Sequence, residues 1–214
     1  MTSENANRDS SHESGQSAGH LRPDLEAIAA HVAPGTRVLD VGCGDGALLA
    51  ELQKRQNVDA RGMEINAERV EKCVARGLSV MQGDADRDLA QYPDGAFDYA
   101  ILSQTLQTSA RPDRMLDELL RVGRRAFVSF PNFAHWRTRA ALMFGGKMPV
   151  TQALPVSWYA TPNIHHVTIA DFRELLGQKG VAVEKQWFFA GEQPVGPASA
   201  NWRAEFALFL LSTP

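Results

Sequence analysis

Length, composition and charge narrow the class of protein before any motif is considered. The chain has 214 residues, of which 44% are hydrophobic and 22% are charged, so it can bury a core and is neither a stapled mini-protein nor a wholly disordered chain. The formal net charge of −3 gives no general attraction to nucleic acid or to acidic membranes. Two cysteines are too few for a disulfide framework and favour a reducing compartment, so we expect a cytoplasmic protein.

The chain divides into a short polar tail, a single domain and one irregular insertion. Residues 1–20 are rich in Ser, Asn, Glu and His without an apolar centre, which predicts a disordered tail and not a targeting signal. No apolar run reaches the ~18–20 residues that a membrane helix needs. Residues 21–214 form the predicted domain. Within it, residues 144–166, here called the lid segment, mix Gly, Pro, aromatic residues and His without periodicity, which is typical of a lid or binding loop.

Short apolar runs alternate with segments of helical periodicity throughout the domain. The predicted strands are Arg37–Val41, Val58–Ile65, Leu78–Gln82, Phe97–Ser103, Ala126–Phe130, Val181–Phe189 and Ala204–Leu211. The predicted helices lie around Leu48–Leu52, Met115–Leu120 and Phe133–Ala140 and after a capping box at Thr168–Asp171. A Gly/Pro-rich loop at 190–201 joins the last two strands. This alternation predicts an α/β fold with a doubly wound, mostly parallel sheet that helices cover on both faces.

A glycine-rich turn follows the first predicted strand. Residues 38–46 read Val-Leu-Asp-Val-Gly-Cys-Gly-Asp-Gly, and the three glycines permit tight turning and close approach of a ligand to the backbone. The spacing differs from the G-x-G-x-x-G of nicotinamide-binding domains, in which a helix N-terminus faces a pyrophosphate. Asp40, directly before the turn, would repel a pyrophosphate and suits an ammonium or sulfonium ion. The turn therefore predicts a site for a positively charged ligand.

Acidic residues also end the next two strands. Glu64 closes the second strand, where a carboxylate can accept both ribose hydroxyls of a nucleoside. Asp84, within Gly83-Asp84-Ala85 after the third strand, can accept a hydrogen bond from an adenine amino group, and the neighbouring Asp86 is the alternative for that contact. A single acid at such a position is commonly a helix cap. Three acids at successive strand ends, beside the glycines, predict a site for S-adenosylmethionine.

This set of residues resembles motif I and the later cofactor motifs of the class I S-adenosylmethionine-dependent methyltransferases. More narrowly, the chain is similar to the MetW family of methionine-biosynthesis proteins over roughly residues 36–190. The segments that carry the resemblance are RVLDVGCGDG (37–46), DYAILSQTLQ (98–107), FPNFAHWRTR (130–139), WYATPNIHH (158–166) and TIADF (168–172).

The resemblance implies a Rossmann-like, seven-stranded sheet whose last strand is antiparallel, with the cofactor lying across its carboxyl edge. By motif match, the implied cofactor contacts are Asp40, Gly42, Gly44, Glu64, Asp84 and Ala85, with Ser103 and Gln104 on the methyl side. To these we add the adjoining Cys43, through its backbone N–H, together with Gly46 and Ile65. Members of the family are linked to homoserine acylation, so the implied partner is a homoserine O-acyltransferase. The resemblance does not supply a methyl acceptor.

Two functions remain open. In the first, the protein methylates a small molecule, with His165 or His166 as general base, Gln104 orienting the acceptor and the lid segment closing over it. In the second, the cofactor site reports on methionine supply and the protein works by binding the acyltransferase. Residues 103–106 lack the Asp/Asn-Pro-Pro-aromatic arrangement of enzymes that methylate base amines, so we expect no nucleic-acid substrate. No Cys/His/Asp set has the spacing of metal ligands, so we predict no metal site.

Arginines cluster in one stretch, at positions 121, 124, 125, 137 and 139. Guanidinium groups bind carboxylates and phosphates in a bidentate manner, so one interpretation is a docking face for an acidic partner. The alternative is a solvated helix face with ordinary ion pairs, such as Arg121 with Asp117 four residues earlier.

Overall fold

An eight-stranded sheet forms the centre of the computed structural model, which describes residues 21–54, 57–151 and 154–213. The strands are β1 (Arg37–Val41), β2 (Asp59–Glu64), β3 (Ser79–Gln82), β4 (Phe97–Ser103), β5 (Gly123–Pro131), β6 (Ala182–Ala190), β7 (Gln193–Pro194) and β8 (Phe206–Ser212). The helices are α1 (Pro23–His31), α2 (Ala47–Lys54), α3 (Ala67–Ala75), α4 (Ala85–Asp88), α5 (Pro112–Val122), α6 (Trp136–Gly145), α7 (Ile169–Lys179) and α8 (Ala200–Arg203). The predicted tail, residues 1–20, lies outside the described residues.

The sheet order brings the carboxyl ends of the parallel strands to one edge. Neighbouring strands follow the order β3-β2-β1-β4-β5-β8-β6-β7, and every pair from β3 to β5 is parallel. The chain moves outward from β1 in opposite directions, first to β2 and later to β4, and this reversal leaves a crevice beside the carboxyl end of β1. The glycine-rich turn begins at that crevice.

The other half of the sheet contains the antiparallel strands. Strand β8 lies between β5 and β6 and is antiparallel to both. The predicted fold class is therefore confirmed, with a mostly parallel sheet and an antiparallel last strand. The sheet has eight strands and not seven because Gln193 and Pro194, within the predicted loop at 190–201, pair with Phe189 and Ala190 as a short extra strand.

Apolar side chains cover both faces of the sheet, which explains why its central strands read as continuous hydrophobic runs. Successive side chains of β1 point to opposite faces. Leu39 and Val41 belong to the core that α5 and α7 cover, whereas Val38 belongs to the core that α1 and α2 cover. No helix in the described ranges is both long enough and apolar enough to cross a membrane.

Helix α1 is an element that the sequence patterns did not predict. Its buried residues are Ile28, Ala29 and the charged Asp24. A carboxylate on the buried face weakens the apolar periodicity by which an amphipathic helix is recognised. The helix nevertheless positions a buried charge close to the carboxyl edge of the sheet.

The lid segment begins in the last turn of α6 and continues without helix or strand through 146–151 and 154–166. Gly146, with φ of +59°, ends α6 in the left-handed conformation. The far end of the segment is fixed to the turn after β4, because the N–H groups of Ile164 and His165 donate to the carbonyl of Gln107 at 2.9 and 3.0 Å. Residues 152–153 lie outside the described residues.

Candidate functional site

The glycine-rich turn has a backbone that its glycines make possible. Gly42, Gly44 and Gly46 have φ angles of +73°, +59° and +75°. A Cβ at Gly42 would lie 2.6 Å from Thr105 Oγ1 and one at Gly46 would collide with Leu78, whereas one at Gly44 would meet nothing within 4 Å. The backbone at Gly44 therefore borders open space, where a ligand can approach it closely.

Glu64 ties this turn to the end of β2. The residue is 4% exposed, and its carboxylate accepts the N–H of Gly44 at 2.9 Å through Oε2 and the N–H of Asn66 at 2.9 Å through Oε1. A carboxylate oxygen can accept more than one hydrogen bond. Glu64 therefore holds the loop and keeps acceptor capacity for ligand hydroxyls.

Asp40 is a buried carboxyl group at the carboxyl end of β1. It is 3% exposed, and burial raises its pKa to about 7. The charge of the nearby Arg22 opposes this rise in pKa, and the negative charges of Asp24 and Glu64 contribute to it. A cation beside Asp40 would stabilise its ionised form. A positively charged ligand at this position stays a prediction of the sequence.

A polar cluster that sequence reasoning missed lies at the carboxyl ends of β4 and β5. Asp24 Oδ2 accepts hydrogen bonds from Ser103 Oγ at 2.8 Å and from Ser129 Oγ at 2.7 Å, and Arg22 donates to both carboxylate oxygens at 3.1 Å. Arg22 also donates to Ser103 Oγ at 2.6 Å. The hydroxyl of Ser103, a predicted cofactor residue, is thus engaged by protein groups. The i, i+4 spacing of Asp24 and Ile28 is the sequence feature that places Asp24 on the buried helix face.

The two cysteines pack against the glycine-rich turn. The N–H of Cys43, predicted to contact the cofactor, donates to the carbonyl of Met63 at 3.1 Å and so points into the sheet. Burial, and secondarily the charge of Asp40, raises the pKa of the Cys43 thiol, which keeps it protonated. Cys73 Sγ donates to the carbonyl of Gly44 at 3.4 Å. Both thiols therefore support the turn and are not poised as nucleophiles.

Asp84 and Asp86, the two acids between which the sequence left the adenine contact open, have different partners. Asp84 is the N-cap of α4 and accepts the N–H of Asp86 at 3.1 Å. The carboxylate of Asp86 accepts Ser109 Oγ at 2.6 Å and the N–H of Ala110 at 3.0 Å, so it holds the loop that follows β4. Of the two, Asp84 keeps more capacity to accept a ligand hydrogen bond.

Two other predicted cofactor residues offer apolar contacts near these acids. Ile65, directly after the buried Glu64, is 64% exposed. Ala85 begins α4 and is partly buried against the core. An exposed Ile side chain at the sheet edge provides a surface on which a flat base can stack.

The turn after β4 is strained at Gln104. Its φ is +53°, and within the described ranges Asn57 is the other non-glycine residue with a positive φ. Such a conformation costs energy for a residue with a Cβ and clusters at ligand sites. Gln107, which the sequence did not single out, donates from Nε2 to the carbonyl of Gln104 at 2.8 Å and thereby stabilises the turn.

The two predicted catalytic histidines have different surroundings. His166 is exposed, and its ring meets the ring of Phe133 edge-on with 4.7 Å between centroids. His165 is half-buried beside Gln107, and its Nε2 is a buried atom without a hydrogen-bond partner in the part of the chain that is described. The structure therefore brings His165, and not His166, to the turn that carries Gln104. In that same part of the chain, no group of three His, Cys, Asp or Glu side chains could hold a metal ion.

Arg121 serves as an internal link and not as an open docking group. It donates to Glu118 at 2.6 Å and to Asp94 at 2.7 Å, and also to two main-chain carbonyl groups. The expected pair with Asp117 does not form, because Asp117 pairs with Lys179 at 2.7 Å and Glu118 is within reach one residue later.

This sheet order, with a glycine-rich turn at the switch point, defines the fold of the class I S-adenosylmethionine-dependent methyltransferases. A putative methyltransferase from Haloferax volcanii, solved with the Trm112 methyltransferase activator, matches with a TM-score of 0.66 and 17% identity over 90% of this chain and 89% of that chain. A possible histamine N-methyltransferase from Thermotoga maritima, an S-adenosylmethionine-dependent enzyme, matches with a TM-score of 0.63 and 17% identity over 90% and 88%. At such identities the likeness shows the fold alone.

The sequence comparisons define a narrower family. The profile of methionine biosynthesis protein MetW matches residues 22–211, and the chain belongs to the MetW family. The bifunctional methionine biosynthesis protein MetXA/MetW of Rhodopirellula baltica is 36% identical over 182 residues, which are 81% of this chain. The match covers 29% of that longer relative. The protein is therefore a methyltransferase-fold member of a methionine-biosynthesis family.

Proposed function

We propose that this protein binds S-adenosylmethionine and acts with a homoserine O-acyltransferase in the acylation of homoserine. The observation that carries the cofactor is the juxtaposition of the buried Asp40 carboxyl group with open backbone at Gly44. The first favours a cation and the second permits a ligand to lie directly against the main chain. A nucleoside with a cationic sulfur satisfies both conditions.

The side chains along the carboxyl edge fit the remaining parts of this cofactor. Asp40 would face its positive charge, Glu64 would accept the ribose hydroxyls, and Asp84 would accept the adenine amino group. The exposed side chain of Ile65 would lie against the adenine ring. When bound, the cofactor supplies a methyl group activated by its sulfonium charge. The part of the protein is to orient that group and exclude water from it.

The fused relative supports the acyltransferase partnership. In the Rhodopirellula baltica protein, one chain carries both MetXA and MetW. We infer that MetXA is the homoserine acyltransferase and that two activities joined in one chain also act together when they are separate. The cofactor site then lets an activated form of methionine influence a step that leads to methionine.

An exposed apolar surface provides a place for this partner to bind. Met143, Phe144, Trp158, Tyr159 and Ile164, here called the lid surface, are between 61% and 84% exposed. Clusters of large exposed apolar side chains mark interaction sites, because their exposure to water is unfavourable. Trp158 and Tyr159 pack edge-on against each other, and Ile164 donates its N–H to the carbonyl of Gln107 at 2.9 Å, which ties that end of the lid surface to the turn after β4.

Calorimetric titration tests whether the protein binds the proposed cofactor. We expect saturable binding of S-adenosylmethionine and of S-adenosylhomocysteine, and folded protein, free of copurified cofactor, that binds neither would contradict the proposal. S-adenosylhomocysteine lacks the sulfonium charge. If Asp40 faces the sulfonium, Asp40→Asn should therefore weaken the binding of S-adenosylmethionine more than that of S-adenosylhomocysteine. If Asp40 faces the ammonium group, the substitution should weaken the binding of both ligands equally. Asp45→Asn, in the same turn, is the matched control.

Copurification with the cognate acyltransferase tests the partnership. We expect the two proteins to coelute and the acyltransferase activity to rise when this protein is added. The S-adenosylmethionine concentration is varied in the same assay. If this protein neither coelutes with the acyltransferase nor changes its activity at any cofactor concentration, the proposed partnership is contradicted.

A methyltransferase acting on a small molecule is the second candidate function. The position of His165 beside the Gln104 turn favours it, because a base there would be close to the methyl side. His165→Ala is then expected to abolish transfer of labelled methyl to small molecules while S-adenosylhomocysteine affinity is kept. His166→Ala, which removes a ring packed on Phe133, is the comparison variant.

A further inference from the structure

A small cavity lies between the turn after β4 and the lid segment. Its volume is about 180 Å³, and its wall includes Gln104 and Gln107 on one side and Leu154, Val156 and Thr161 on the other. At ~30 Å³ for each water molecule, this volume corresponds to roughly six waters. The cavity can therefore hold a molecule about as large as one substituted ring.

Gln107 contributes an unpaired hydrogen-bond acceptor to this wall. The residue is 4% exposed, and the bond from its Nε2 to the carbonyl of Gln104 fixes which end of the amide is the oxygen. Oε1 is buried and has no hydrogen-bond partner in the described ranges. Buried polar atoms are nearly always paired, so an unpaired acceptor in a cavity wall indicates a missing donor.

His165 adds a second unpaired atom at the same junction. Its N–H donates to the carbonyl of Gln107 at 3.0 Å, and its Nε2 is buried without a partner among the described residues. Two unpaired polar atoms, on residues that a main-chain hydrogen bond joins, indicate that something polar completes this junction. A ligand in the cavity meets that need at Gln107, and a bridging water can extend it to His165.

The lining has no ionisable side chain among the residues described. Its other members are Pro131, Pro155, Pro162 and Asn163. A carboxylate or ammonium group placed there would lose part of its hydration without gaining a counter-charge. The lining therefore selects against charged molecules and in favour of an apolar body with one polar end.

We propose that this cavity binds a small uncharged molecule, a primary amide or an alcohol with an apolar body, whose donor hydrogen bonds to Gln107 Oε1. The inference rests on the proposed function and deepens it, because the cavity adjoins the cofactor edge. Thr105, within the same turn, contacts the glycine-rich turn at Gly42. A neutral molecule in the cavity thus lies next to the methyl side of the cofactor site.

Benzamide, benzoate and benzamidine test the charge preference. They have nearly the same shape, and at neutral pH they are uncharged, anionic and cationic. Ligand-observed saturation-transfer NMR on the full chain gives a dissociation constant for each probe. We expect benzamide to bind saturably and at least tenfold more tightly than the two charged probes. Equal binding of all three probes, or no binding of benzamide, would overturn the proposal.

Two variants locate the binding site. Gln107→Met removes the acceptor and should raise the dissociation constant of benzamide at least tenfold. Gln91→Met, at an exposed glutamine, should leave that constant unchanged. Because Gln107 also stabilises the turn, Val156→Trp provides a second route. This substitution fills the cavity from a position that is 40% exposed, and it should also raise the dissociation constant of benzamide at least tenfold. Benzamide binding that survives both substitutions in folded protein overturns the proposal.

A parallel titration with S-adenosylhomocysteine separates this inference from the proposed function. Protein that binds S-adenosylhomocysteine but not benzamide overturns the cavity proposal and supports the cofactor site. Protein that binds benzamide with the expected charge preference but not S-adenosylhomocysteine supports the cavity and overturns the cofactor site.

Discussion

The carboxylate of Asp24 accepts a hydrogen bond of 2.7 Å from the hydroxyl of Ser129, 105 positions further along the chain. Because Ser103 and Arg22 bind the same carboxylate, this contact fastens α1 to the ends of two sheet strands. We expect Asp24→Ala to lower the free energy of unfolding by ~2–4 kcal/mol, since it leaves buried donors unpaired. Urea denaturation measures the loss.

The matched control for Asp24 is an exposed ion pair. Asp94 binds Arg121 at 2.7 Å, but its side chain is 82% exposed. Asp94→Ala should therefore cost less than ~1 kcal/mol. Equal losses for the two substitutions would mean that the buried cluster contributes no more than an ordinary surface pair.

Asp40 gives the protein a predictable pH dependence. Its pKa of about 7 in the folded protein lies above the ordinary value of 3.8, so folding favours the protonated form. That stabilisation is complete below the lower pKa and is lost as the pH rises through the higher one. Between about pH 5 and about pH 8, we expect the free energy of unfolding to fall by a few kcal/mol relative to Asp40→Asn.

Urea denaturation of both proteins at the two pH values measures this difference, and other titrating groups cancel in the comparison. Asp45→Asn, in the same turn, should follow the wild type. A cationic ligand should also bind more tightly as the pH rises, because it binds beside the ionised carboxylate. A pH profile shared by wild type and Asp40→Asn would contradict the assignment.

Three glycine substitutions test whether a ligand lies against the glycine-rich turn. Gly44 and Gly35 have similar positive φ angles and open space around the position of a Cβ. Gly44→Ala and Gly35→Ala should therefore each cost ~1–2 kcal/mol of stability from strain alone. Gly46→Ala should cost more, because its methyl group also collides with Leu78.

The cofactor affinity then distinguishes the two open positions. We expect Gly44→Ala to lower the affinity for S-adenosylhomocysteine at least tenfold, because the added methyl group occupies space that the ligand needs. We expect Gly35→Ala to leave this affinity unchanged. Isothermal titration measures both. Equal affinities would place the ligand away from the Gly44 backbone.

The lid surface predicts a substitution that affects binding and not folding. Phe144 is 84% exposed, so Phe144→Ser should change the free energy of unfolding by less than ~0.5 kcal/mol. It should weaken coelution with the acyltransferase, since the apolar contact would be lost. Val74→Ser, at a 55% exposed position on α3, is the control and should leave coelution intact. If both variants coelute as the wild type does, the partner binds elsewhere.

Local patterns were sufficient for the regular part of the fold. The bounds of β1 and β4 match their predictions because both strands are runs of mostly buried residues, and the residue that follows each, Gly42 or Gln104, has a positive φ. The three glycines at 42, 44 and 46 predicted tight turning, and all three have a positive φ. In these places a few adjacent residues decide the conformation.

Contacts between distant residues were beyond those patterns. Asn132, within the segment FPNFAHWRTR, accepts the N–H of Ala134 and the more distant N–H of Ile169, and donates to the carbonyl of Ala204 at 2.9 Å. The sequence marks this segment as distinctive, but it does not show that its Asn joins three parts of the chain. The Asp24 cluster was missed for the same reason, because its partners follow 79 and 105 positions later.

The turn from Gln104 to Gln107 contacts two other parts of the chain, the glycine-rich turn and the end of the lid segment. At one end, Thr105 leaves no room for a side chain at Gly42. At the other end, the carbonyl of Gln107 accepts hydrogen bonds from the N–H groups of residues 164 and 165. A ligand bound against the glycines, as proposed above, would therefore lie beside a turn that is hydrogen-bonded to the end of the lid segment. If the proposed ligand shifts this turn when it binds, residues 164 and 165 would move with it, and no domain motion would be needed.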